Sequence, residues 1–79
     1  MKGGETMQVI FQYQKIRARR KEKHLTQEML AECCDCSLRY LWDLEHGRKC
    51  NPSAVLLHLL TRALDISMEE ILEIQYDAP

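Results

Sequence analysis

Seventy-nine residues, 46% of them apolar and 29% charged, suffice for one small domain. A net charge of −1 excludes a chain held to nucleic acid by bulk charge alone, and no apolar run approaches the roughly 20 residues that span a bilayer. Four cysteines without an apolar leader segment read as reduced thiols of a cytoplasmic protein rather than as a disulfide scaffold.

The charge is unevenly placed. Residues 1–24 carry Lys2, Lys15, Arg17, Arg19, Arg20, Lys21 and Lys23 against Glu5 and Glu22. Residues 53–79 carry Arg62 against Asp65, Glu69, Glu70, Glu73 and Asp77. One end could approach phosphates while the other avoids them; the alternative is a solvated basic helix face.

In chain order, residues 1–10 read as a flexible tail or arm, 11–73 as one folded domain and 74–79 as a C-terminal tail. Met7–Tyr13 leaves three options open: an extension of the first helix, a short strand or an arm. Phe11–Lys23 is the first predicted helix, with Tyr13, Ile16 and Arg20 on one stripe. Thr26 caps a second helix that buries Leu30, Ala31 and Cys34 and ends at a turn on Asp35, a residue that tolerates the left-handed conformation. Ser37 caps a third helix, which buries Leu41 and Leu44 and stops at Gly47. A fourth helix starts after Pro52-Ser53, with Leu57, Leu60, Thr61 and Leu64 expected inward. Ser67 and Glu70 form a capping-box start for a short fifth helix, expected to bury Met68, Ile71 and Leu72. The predicted fold is therefore all-α, a compact bundle of about five short helices.

The two helices at 26–47, joined by a tight turn, carry a resemblance. The runs Leu25-Thr26-Gln27-Glu28-Met29-Leu30-Ala31-Glu32, Ser37…Leu41…Leu44-Glu45-His46-Gly47, Asn51-Pro52 and Leu64-Asp65-Ile66-Ser67-Met68-Glu69-Glu70-Ile71, preceded by Ile16 and Arg20, resemble the phage-repressor and Cro family of XRE-type helix-turn-helix regulators. The resemblance spans residues 13–72 and implies a lambda-repressor-like DNA-binding domain. It also implies that Gln27 bonds a phosphate and packs against the start of the third helix, and that Arg20 pairs with Glu45. The chain departs from the family pattern at Asp35, where Gly is usual, at Cys36, and at Tyr40, Trp42 and Asp43 on the outer face of the third helix.

On a helical wheel with Leu41 at zero, Leu44 falls at about 300°, while Trp42, His46, Arg39 and Asp43 fall between about 100° and 200°, away from the core. The second helix of a helix-turn-helix enters the major groove with this kind of face. The expected base-contacting residues are Leu38, Arg39, Trp42 and Asp43. The guanidinium of Arg39 matches the two acceptors of guanine, Leu38 could meet a thymine methyl, and Asp43 could accept from cytosine or instead orient Arg39 one turn away. Trp42 could donate its indole N–H to a phosphate, with a protein contact as the alternative. Expected phosphate contacts are Gln27, Ser37, Arg17, Arg19, His46, Arg48, Lys49 and Asn51.

Cys33, Cys34, Cys36 and Cys50 with His24 and His46 lack the paired spacing of a zinc site, so neither metal nor cofactor is expected. No catalytic motif is present, and no enzymatic activity or small-molecule ligand is expected. Val55, Leu56, Leu59 and Ala63 form an apolar stripe on the fourth helix and, with the spare apolar residues Val9, Ile10, Phe11, Ile74 and Tyr76, suggest a homodimer. Two functions stand: sequence-specific binding of double-stranded DNA by a transcriptional regulator, expected to be a repressor, or a helix-turn-helix fold used for protein contact in a regulatory assembly.

Overall fold

The computed structural model describes residues 7–76 and contains five helices and two strands: β1 (Met7–Phe11), α1 (Tyr13–Glu22), α2 (Gln27–Cys33), α3 (Leu38–Glu45), α4 (Ala54–Leu64), α5 (Met68–Ile71) and β2 (Leu72–Tyr76). Four of the helices start on a side-chain cap. The hydroxyls of Thr26, Ser37, Ser53 and Ser67 accept from the backbone N–H three residues on, which satisfies a donor the helix itself cannot. At Ser67 the cap is reciprocal, because the Glu70 carboxylate accepts from the Ser67 N–H at 3.1 Å. Left-handed residues end or join the helices at His24, Asp35, Gly47 and Asp65. Gly47 has no freedom to carry a side chain: a Cβ there would lie 2.8 Å from the ring of Tyr13 at the start of α1.

The core is built from one face of every helix. Ile16 of α1, Leu30 and Ala31 of α2, Leu41 and Leu44 of α3, and Leu56, Leu60 and Leu64 of α4 are buried together with Cys34, Ile66, Ile71 and Phe11. Three expectations about this face are corrected. Leu56, expected at a dimer interface, is a core residue, and Leu57 is only half-buried. The run Val55–Leu60 is apolar at all but one position, so its periodicity does not say which face turns inward. Met68, expected inward, is exposed, and Ile66 in the preceding loop is buried instead.

The all-α expectation is also corrected. β1 and β2 pair antiparallel, with Phe11 opposite Leu72 and Met7 opposite Tyr76, so of the three options for the segment from Met7 the short strand is the one found over Met7–Phe11, and residues 74–76 of the expected C-terminal tail are also strand. The Gln12 N–H donates to the Ile71 carbonyl at 2.7 Å where the ribbon meets the globule. The two ends of the domain are thus tied to each other, and the molecule extends over 45 × 21 × 20 Å. Residues 1–6 and 77–79, the remainder of the expected tails, lie outside the described residues. Among the described residues, no helix is long and apolar enough to cross a membrane.

Candidate nucleic-acid interface

The outer surface of α3 is positioned from beneath by one buried ion pair. Arg20 of α1 donates from Nε to Glu45 Oε2 at 2.7 Å and from a terminal nitrogen to Oε1 at 3.1 Å, a two-pronged contact with Glu45 wholly buried at its side chain. The same guanidinium donates to the Leu25 carbonyl at 2.9 Å, which fixes the loop before α2. Gln27 at the start of α2 donates from Nε2 to Glu45 Oε1 at 3.1 Å. One carboxylate therefore joins α1, α2 and α3, and its burial is compensated by three donors.

Above this pair lies a cationic and aromatic face. Arg39 is open to solvent with 75% of its side chain exposed, and its Nε lies 3.4 Å from both carboxylate oxygens of Asp43 one turn on. Asp43 is mostly covered, and its Oδ1 has no hydrogen-bond partner. Asp43 thus lies beside Arg39 with most of its side chain covered. Trp42 is half-buried and lies flat, stacked on His46 with ring centroids 3.8 Å apart. The guanidinium carbons of Arg39 and Arg48 both lie 5.4 Å from the Trp42 ring, one on each side of its sequence position. His46 Nδ1 is 2.7 Å from the Trp42 carbonyl, and since a carbonyl only accepts, Nδ1 is the donor in this contact.

Two shallow depressions meet at Gln27 and Trp42. One, of about 510 Å³, also takes in Arg17, Thr26 and His46; the other, of about 450 Å³, takes in Leu38 and Arg39. Arg17, Gln27, Leu38, Arg39, Trp42 and His46 thus share one surface, with Arg48 held to it over the indole. Ser37 is exposed at the head of α3 with its oxygen engaged by the Tyr40 N–H at 3.0 Å, and Lys49 and Asn51 are exposed on the loop after Gly47.

Arg19 does not join this surface. It donates to the carbonyls of Leu64 at 3.3 Å and Asp65 at 2.6 Å and to Glu70 at 3.0 Å, and so closes the C-terminal end of α4. Sequence reasoning missed this role because the partners lie more than 40 residues away. Cys50 lies on the loop after Gly47, with its thiol donating to the Gly47 carbonyl at 3.1 Å, while Cys33, Cys34 and Cys36 lie at the turn between α2 and α3. Cys34 is buried, and burial, with the neighbouring Cys36 and Cys33 thiols, pushes its own thiol up to about 12. Burial, then the Asp35 carboxylate, raises Cys36. No grouping of three or more His, Cys, Asp or Glu able to hold a metal ion occurs among the described residues.

Residues 16–71, most of the chain, match the helix-turn-helix family of XRE type. The chain belongs to this family. It is 45% identical over 58 residues to the immunity repressor protein of Bacillus phage phi105, in a match covering 73% of this chain and 40% of the repressor. The chain therefore spans well under half of that relative's length. Among solved structures it is similar to SinR, a master regulator for biofilm formation, crystallised in complex with DNA, with TM-score 0.65 and 34% identity over 70% of this chain and 87% of that one. It is also similar to the restriction-modification controller protein C.AhdI of Aeromonas hydrophila, with TM-score 0.64 and 36% identity over 70% of this chain and 82% of that one.

Proposed function

We propose that this chain binds double-stranded DNA in a sequence-dependent way as a transcriptional regulator, with α3 in the major groove. The observation that carries the reading is the outward face of α3, where an exposed Arg39 is steadied by Asp43 and by the Trp42 ring. In this reading Arg39 meets the paired acceptors of a guanine, and Leu38, 43% exposed at the helix start, packs against a base edge. Asp43 orients Arg39, and Trp42 forms the floor on which Arg39 and Arg48 rest. Arg17, Gln27, Ser37, His46, Arg48, Lys49 and Asn51 line the flanks toward phosphates. Arg19, committed to α4 and Glu70, takes no part.

The regulator acts in this reading as a homodimer on a two-fold-symmetric site, as the domain alone covers one half-site. It needs no cofactor, catalyses no reaction and works in the compartment that holds the DNA. Repression follows where its site overlaps a promoter, in keeping with the repressor named among its relatives.

Duplex binding measured against salt tests this. Arg17, Arg48 and Lys49, the cations turned toward phosphates, together give an expected slope of about −3 in log K against log[salt] per chain, and Arg48→Ala reduces it by about 1. Binding that ignores salt would overturn the reading in favour of protein contact through the same face.

A further inference from the structure

The ribbon formed by β1 and β2 has a face that the fold leaves uncovered. Side chains alternate along a strand, and the observed register places Met7, Val9 and Phe11 opposite Tyr76, Ile74 and Leu72 on one face. The other face holds Gln8 opposite Gln75 and Ile10 opposite Glu73. The first face is wholly apolar and uncharged. Its base is anchored, because Phe11 is buried and Leu72 packs against the core. Beyond that pair, Met7, Val9, Ile74 and Tyr76 stand 59%, 56%, 51% and 71% exposed.

We infer that this face packs against the same face of a second copy of the chain, making a two-fold dimer through paired ribbons. Three considerations select a copy as the occupant. A two-stranded ribbon is marginal in water unless its apolar side is covered, and here only the base of the ribbon reaches the core. The face carries no charge, so it offers nothing for a charged partner to recognise, whereas a two-fold axis sets identical apolar patches against each other without any mismatch. The four open side chains offer roughly 400 Å² per copy, or roughly 800 Å² for the pair, which with the flanking strand backbone approaches the ~1,000 Å² of a weak but specific interface. The α4 stripe is a poorer candidate. Leu56 is buried, and Leu59 and Ala63 already pack on the core, which leaves Val55 as its open member.

The inference stands apart from DNA binding and is tested without DNA. Sedimentation of the chain from about 1 to about 200 μM should show a reversible monomer–dimer equilibrium. Ile74→Lys and Ile74→Glu should each shift the dissociation constant upward at least tenfold, and an equimolar mixture of the two should regain dimer, with a Lys facing a Glu across the axis. Gln75→Lys, on the polar face, should leave the equilibrium unchanged. If Ile74→Lys loses helical circular dichroism, Tyr76→Lys at the open end of the ribbon replaces it. A monomer at 200 μM, or a dimer that survives both Ile74 variants and dissociates with Val55→Asp, would overturn the proposal.

Discussion

Glu45 is the residue on which the interface geometry depends. Its carboxylate is buried and receives Arg20 and Gln27 from two other helices. Such a pair need not add net stability over an apolar isostere, but removing one partner leaves a charge stranded in the interior. Glu45→Ala is therefore expected to cost about 3–5 kcal/mol, read as a large drop in thermal midpoint. The double replacement Arg20→Met, Glu45→Leu should recover most of that loss. At Gly47 the positive φ and the adjacent Tyr13 ring act together. Gly47→Ala should cost about 1–3 kcal/mol, from left-handed strain and displacement of the ring, and urea unfolding would measure it. Both residues could be read from the sequence: Gly47 because one residue type suits a left-handed helix end, Glu45 because its pairing with Arg20 was implied by family resemblance. Arg19 could not, since a basic residue on a basic helix looks like any other until α4 and α5 are in place.

At the scale of elements, the caps were legible because each is decided within three residues. Thr26, Ser37, Ser53 and Ser67 all accept from the backbone where their positions before apolar runs suggest. The capping box also sets a pH dependence. The backbone N–H of Ser67 holds the Glu70 carboxyl below its ordinary value; desolvation opposes it, and the Ser67 hydroxyl and the Arg19 guanidinium add further, smaller lowering effects. A lowered folded-state pKa gives stability that is present above the unfolded-state value and lost as pH falls through the folded one. The thermal midpoint should accordingly fall as pH drops through and below the ordinary carboxylate range, and Glu70→Gln should flatten that limb of the profile. The inward face of α4 was not legible, because five of the six residues in Val55–Leu60 are apolar and Leu56 and Leu57 compete for the core. The ribbon was harder still. Met7–Phe11 finds its partner at Leu72–Tyr76, across the whole length of the domain, and a single strand of five residues has no local pattern that excludes helix or arm.

At the scale of the molecule, the uneven charge acquires a direction. Arg17, Arg39, Arg48 and Lys49 gather around α3, while Asp65, Glu69, Glu70 and Glu73 belong to the α4–α5 turn, α5 and β2, where Arg19 is neutralised. A net charge near zero therefore does not prevent one face from approaching phosphates. The most direct test of that face is selection from a random duplex library, carried out with the chain and with Arg39→Ala in parallel. Enrichment of a two-fold-symmetric site in which Arg39→Ala relaxes the preference at one guanine per half-site, leaving the other positions intact, is the expected result. No enrichment, or one site shared unchanged by both proteins, would contradict α3 as the element that reads DNA and Arg39 as its reader.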